Sequence, residues 1–254
     1  MLETKGITKH FRGLRAVNNI NLSVDANEIV GVIGPNGSGK TTLFNLITGF
    51  LKPTSGEVIF EGKGITGKGP HSIAELGVAR TFQLDRIFHD FTVLQNVAVA
   101  SRLHSRIGFW ESIFNTSRYR TKFKSTWDYA TNILQFVGLD DRKDELARNL
   151  AHGHQKMLGV AIALAADPRI LLLDEPCAGM NPTEIDMALE LIGKIRSRGT
   201  SVILIEHNMR AVMNVCDRIL VLNFGTEIAR GTPDEMQKNK DVIQAYLGVE
   251  KHAA

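Results

Sequence analysis

Short unbroken apolar runs punctuate this chain, each ended by glycine or by acids. They are Ile29-Val30-Gly31-Val32-Ile33, Ile170-Leu171-Leu172-Leu173 and the Val202–Ile205 portion of Ser201–Ile205. Four or five apolar residues without polar alternation predict strands covered on both faces, as in a parallel sheet. The first segments read differently. Leu2 to Thr8 and Ala16 to Val24 alternate loosely and carry β-branched residues, with a turn at Phe11-Arg12-Gly13. Gly56 to Gly62 encloses another short strand. These segments predict an antiparallel sheet beside the parallel core. From about Arg86 to Ala166 the spacing turns helical: Trp127 to Val137 places apolar residues three and four apart, and Gly138 follows as a stop. Asn181-Pro182-Thr183-Glu184 carries the start signals of a further helix, which Gly199 ends. Asp217–Asn223 and Glu227–Arg230 flank Phe224-Gly225-Thr226 as a hairpin. The reading is an α/β core over 1–83 and 167–254, interrupted by a helical insert over 84–166.

Composition narrows this little. The chain has 254 residues, 43% of them hydrophobic and 22% charged, enough to bury a core. A net charge of +3 does not argue for a nucleic-acid partner. The longest apolar stretches, Met157–Ala166 and Ile170–Leu173, fall short of the ~20 residues a spanning helix needs. Met1 to His10 holds no apolar signal core, and Cys177 and Cys216 have no metal-ligand spacing, so a reducing cytoplasm is expected.

The chemistry starts directly after the first apolar run. Gly34-Pro35-Asn36-Gly37-Ser38-Gly39-Lys40-Thr41-Thr42 fits G-x-x-x-x-G-K-[ST] and lies between a predicted strand and the helix start Leu43-Phe44-Asn45-Leu46-Ile47. Its glycines allow several backbone N–H groups to face one anion, and the helix N-terminus adds its positive end. Lys40 is placed to reach the outer phosphates, and Thr41 to help hold Mg²⁺. Downstream, Asp174 ends the second apolar run as a candidate Mg²⁺ residue, and Glu175 follows as a candidate base for attacking water.

Other motifs fall in an order that resembles the ATP-binding subunit of ABC transporters. They are Gln83 in Arg80-Thr81-Phe82-Gln83, the segment Leu150-Ala151-His152-Gly153-His154-Gln155, Asp174-Glu175, Ala178-Gly179-Met180-Asn181-Pro182, and His207 after Glu206. The likeness covers essentially the whole chain. Arg80 to Gln83, Phe91 to Val97, Val137-Gly138-Leu139, the long insert between them, and the tail pieces Gly231 to Glu235 and Val242 to Gly248 narrow it to the branched-chain amino-acid importer branch, of LivG type. The resemblance implies a P-loop NTPase core with an antiparallel β subdomain and an inserted helical subdomain. It also implies ATP and Mg²⁺ as ligands, with Gln83 on Mg²⁺ and its water and His207 on the γ-phosphate. Phe11 stacks on adenine or packs in the core. Leu150 to Gln155 would complete the ATP site of a second ATP-binding subunit, with a helix from about Gln155.

The implied partners are two membrane-spanning permease subunits and, indirectly, an extracytoplasmic solute-binding protein, with the chain peripheral on the cytoplasmic face of the membrane. The usual signature is L-S-G-G-Q, so Ala151 removes a hydroxyl that would bond phosphate. That departure implies two unequal composite sites formed with a non-identical partner; a homodimer is the alternative.

Related ATPases serve urea, amides or aromatic acids, and the solute is not encoded in these motifs. A soluble ABC ATPase would carry tandem cassettes or a long coiled coil, and neither is present. Asn239-Lys240-Asp241 lacks the Asp that guanine reading needs at the position of Val242. Arg102 to Lys124 mixes basic and aromatic residues. It reads first as a helical hairpin with its aromatics turned inward, and alternatively as a surface near anionic lipid or membrane subunits.

Overall fold

A computed structural model describes residues 1–81, 87–101 and 117–250. The leading strands β1 (Leu2–Phe11) and β2 (Leu14–Val24) pair antiparallel. β1 also pairs with β4 (Ser55–Phe60), which pairs with the two-residue β5 (Lys63–Gly64), giving the order β2-β1-β4-β5. Both leading strands run further than their alternation predicts and leave only Arg12-Gly13 as the turn.

The second sheet has six strands in the order β10-β9-β3-β8-β7-β6. Its members are β3 (Ile29–Ile33), β6 (Val78–Arg80), β7 (Ile170–Asp174), β8 (Ser201–Ile205), β9 (Arg218–Asn223) and β10 (Thr226–Gly231). All pairings are parallel except the β9–β10 hairpin. The apolar runs explain the sheet's place. Ile29, Leu171, Leu173, Val202 and Leu204 enter one core cluster, while Val30, Ile170, Leu172, Ile203 and Ile205 enter the other. Successive residues of a strand point to opposite faces, so only a run apolar at every position can serve two cores.

One core lies between this sheet, the antiparallel sheet and α1 (Lys40–Ile47), with Phe44 fully buried. The other lies under α3 (Val93–Ala100), α4 (Ser117–Val137), α5 (His152–Leu164) and α6 (Pro182–Ser197). The remaining helices are α2 (Pro70–Glu75), α7 (Met209–Val215), α8 (Pro233–Lys238) and α9 (Lys240–Glu250).

Start and stop signals act as their chemistry requires. Asn181 accepts from the Glu184 N–H while the Glu184 carboxylate accepts from the Asn181 N–H, a reciprocal capping box. Gly138 and Gly199 stand at φ 75° and 95° just past α4 and α6. The helix expected from about Gln155 instead begins at His152. Its N-cap is Ala151, which has extended backbone angles and no side-chain cap bond, so no polar residue advertises the start. Gln83 and most of Arg102 to Lys124 lie outside the described residues.

Candidate functional site

The loop after β3 folds around its glycines. Gly34 has φ 149°, and a Cβ there would lie 2.0 Å from the Leu222 carbonyl oxygen. Gly39 has φ 102°, and its Cβ would meet the Ala16 carbonyl oxygen at 2.4 Å. Only glycine fits either place, so the loop presses against β2 and β9 and turns directly into α1 at Lys40. Lys40 is 5% exposed. Its Nζ donates to the Gly34 and Pro35 carbonyl oxygens at 2.8 and 2.9 Å. Burial lowers its pKa, and the charges of Glu175 and Asp174 oppose that shift. The phosphate loop and the acidic pair therefore share one neighbourhood.

The acids sit where β7 meets β8. Asp174 is the last residue of β7, and its Oδ2 accepts from Arg80 Nη2 at 2.7 Å, with both side chains buried. Arg80 also donates to Asn45 Oδ1 of α1 and stacks over Phe44 with 5.4 Å to the ring centre. Asp174 Oδ1 accepts no hydrogen bond among the described residues. The Thr81 hydroxyl accepts from the Asp174 N–H at 3.1 Å. Glu175 takes a left-handed backbone at φ 49°, unusual for a residue with a side chain. Its N–H donates to the Ile205 carbonyl at 2.9 Å. Its Oε1 lies 2.8 Å from His207 Nε2, and since a carboxylate can only accept, the imidazole N–H is the donor.

Lys40, Glu175 and His207 face one cavity of 390 Å³ lined by Asn36 to Thr42, Leu14 to Ala16, Phe11 and Phe224, whereas Asp174 and Arg80 are not part of its lining. Phe11 is 43% exposed at this rim, so the core alternative for it does not hold. Phe224, at the tip of the β9–β10 hairpin and 85% exposed, has no counterpart in the motif reading. An aromatic at a hairpin tip was the available signal. Gly34 and Pro35 stand behind the cavity and hold Lys40.

Leu150 to Gln155 is not part of the cavity lining. Leu150 is buried, and Gln155 Nε2 donates back to the Leu150 carbonyl at 3.0 Å. His152 Nε2 lies 3.2 Å from the Ala178 carbonyl. A Cβ on Gly153 would lie 2.8 Å from Glu184 Oε1. Lys156, one residue further along α5, donates to the Glu175 carbonyl at 3.1 Å. His154 sits within the first turn of α5.

A family profile described as ABC transporter matches residues 17–178. The chain belongs to the ABC transporter family. A second profile, described as branched-chain amino acid ATP-binding cassette transporter, matches residues 227–252 of this ABC protein. It is 44% identical over 249 residues to the high-affinity branched-chain amino acid transport ATP-binding protein BraF of Pseudomonas aeruginosa, covering 98% of each chain. It is 43% identical to the corresponding LivG of Escherichia coli K12, again covering 98% of each. Among solved structures, an ATP-binding cassette of an ABC transporter in its ADP conformation superposes with a TM-score of 0.86. That cassette is 31% identical, and the match covers 98% of both chains. The fold is the P-loop ABC ATPase fold, and the protein is an ATP-hydrolysing ABC subunit.

Proposed function

We propose that this ABC ATPase drives uptake of branched-chain amino acids, using Mg²⁺-bound ATP held in the cavity between the phosphate loop and Glu175. The observation that carries this reading is the shared lining: Lys40, Thr41, Glu175 and His207 border one 390 Å³ space. The names of the BraF and LivG relatives supply the solute class.

Lys40 is the cation for the outer phosphates, and the loop N–H groups with the start of α1 bind the remaining charge. Thr41 and Asp174 would hold the metal: among the described residues no donor meets Asp174 Oδ1, while Arg80 fixes Oδ2. Gln83 belongs to the same set in the resemblance, outside the described residues. Mg²⁺, when bound, neutralises charge on the transferred phosphoryl group.

With Oε1 held by His207, Glu175 offers Oε2 to the attacking water. That oxygen takes the water's proton as the water oxygen bonds to the γ-phosphorus and the bond to the bridging oxygen of ADP breaks. His207 orients the carboxylate and stands beside the γ-phosphate when nucleotide is bound. Phe11 flanks the adenine ring.

Leu150 to Gln155 caps the ATP of a second, non-identical subunit, so the pair closes as a clamp. Moving a clamp from 1:99 to 99:1 needs about 5.5 kcal/mol of differential affinity. Hydrogen bonds from both subunits to a charged triphosphate, each worth roughly 1.5–3 kcal/mol, reach that sum. Ala151 lacks the hydroxyl such a bond would use, which makes the two sites unequal.

Residues 84–166 act as the helical subdomain that carries the motion to membrane-spanning permease subunits. Phe88 and Phe91, 54% and 41% exposed and stacked 5.2 Å apart, offer that subdomain an apolar contact. Among the described residues no helix is long and apolar enough to cross a membrane, in keeping with a peripheral subunit. A solute-binding protein outside the membrane delivers the cargo.

Uptake of labelled leucine by cells deleted for this gene tests the solute. Transport should fall to background and return with the intact gene. Loss of urea or aromatic-acid uptake with leucine uptake intact would reassign the cargo.

A further inference from the structure

Glu206 is 3% exposed and makes no ion pair among the described residues. A buried carboxylate is expensive unless donors satisfy it. Here backbone groups are the main donors: Oε1 accepts from the Cys177 N–H at 2.7 Å, Oε2 accepts from the His207 N–H at 3.1 Å and the Asn208 N–H at 3.4 Å, and the Cys177 thiol adds a side-chain hydrogen bond. An apolar residue of similar volume would leave these N–H groups without their acceptor and would not join the two segments.

Cys177 lies two residues after Glu175, and His207 directly follows Glu206. The bonds close a ring. The Glu175 N–H meets the Ile205 carbonyl, the Cys177 N–H meets Glu206, Glu206 meets the His207 N–H, and the His207 imidazole returns to Glu175. Glu175 and His207 both line the nucleotide cavity, whereas Glu206 does not. Burial, then the neighbouring Glu206 charge and hydrogen bond, push the Cys177 thiol up to about 12, so its S–H stays neutral beside the carboxylate. The left-handed backbone of Glu175 persists only where surroundings fix it, and this ring supplies the fixing.

We infer that Glu206 is a positioning residue that clasps the segments bearing Glu175 and His207 and sets the aim of the base at water. The inference rests on the reading of Glu175 as base. Glu206→Gln replaces one acceptor oxygen by an NH₂ group and opens one arm of the clasp. Misplacing a reacting group by an ångström lowers rate by up to about 100-fold. In the assembled transporter, Glu206→Gln should lower kcat by roughly 10- to 100-fold with KM for ATP unchanged. Glu206→Asp keeps both acceptors on a shorter arm and should restore part of the loss. In the purified chain, the His207 ring nitrogen resonances should shift in the Gln variant.

Wild-type kcat and unmoved His207 resonances in Glu206→Gln would overturn the inference. So would a parallel fall of activity and folded fraction with kcat per folded molecule intact. If the Gln variant does not fold, Glu206→Asp decides alone: a lowered kcat at constant KM supports the clasp, and wild-type kcat overturns it. Glu175→Gln in the same assay separates the two claims. If it keeps turnover, the base reading fails. If it loses turnover while Glu206→Gln does not, only the clasp fails.

Discussion

Replacing Glu175 by Gln should stop ATP hydrolysis while leaving ATP binding intact. The amide keeps the size of the side chain and can still bond His207, but it cannot take a proton from water. A positioned general base contributes roughly 10²- to 10⁴-fold to rate. The remaining contacts, from Asn36 to Thr42, are untouched, so the nucleotide enters as before. A subunit pair that closes on ATP and cannot cleave it accumulates closed. The expected result is near-zero phosphate release from the assembled complex, together with an ATP-dependent shift to larger mass in light scattering. Undiminished turnover would remove Glu175 from the base role.

The largest effect on stability should come from Arg80. Its guanidinium pairs with Asp174, reaches Asn45 of α1 and covers the Phe44 ring. The Arg80 and Asp174 side chains are 7% and 8% exposed, so solvent screens the pair little. Arg80→Met leaves the Asp174 charge buried beside an apolar chain. Removing one partner of a buried pair costs about 3–5 kcal/mol, a large share of the roughly 5–15 kcal/mol that holds a domain folded. Urea denaturation should show that loss. The double variant Arg80→Met, Asp174→Asn should be more stable than the single one, because the stranded charge is gone. A single variant within about 0.5 kcal/mol of wild type, the ordinary range for surface changes, would mean the pair carries no structural weight.

How far the sequence reveals these features depends on their range along the chain. The step from β3 through the glycine loop to α1 is local, and its apolar run, glycines and lysine are contiguous. The α6 capping box is local too, with Asn181 and Glu184 three residues apart. The Ile170–Leu173 run reveals a two-faced strand because every position in it is apolar. In contrast, β6 has three residues and β5 two, too short for any period to register. The start of α5 is hidden because Ala151 gives no capping signal.

The site's supporting contacts are hidden for a different reason. Arg80 and Asp174 are 94 positions apart, and Cys177 and Glu206 are 29 apart. Only the order β8-β7-β6 in the sheet brings those segments side by side. The motifs therefore mark Asn36 to Thr42, Glu175 and His207, which face the cavity, while the contacts that hold them emerge only from strand order. Phe224 faces the cavity without belonging to any motif: it reaches it because Gly225, next to it, packs against the Ala16 backbone.

The central claim is that the glycine loop and the acidic pair hold one Mg²⁺-bound nucleotide between them. Calorimetric titration of ATP into the purified chain, with and without Mg²⁺, tests it most directly. Lys40→Ala should weaken binding by about 10- to 100-fold, the equivalent of a 1.5–3 kcal/mol bond to a charged group. Asp174→Asn should abolish the gain that Mg²⁺ gives the wild type while leaving metal-free binding in place. Wild-type affinity and an unchanged Mg²⁺ effect in both variants would contradict the account.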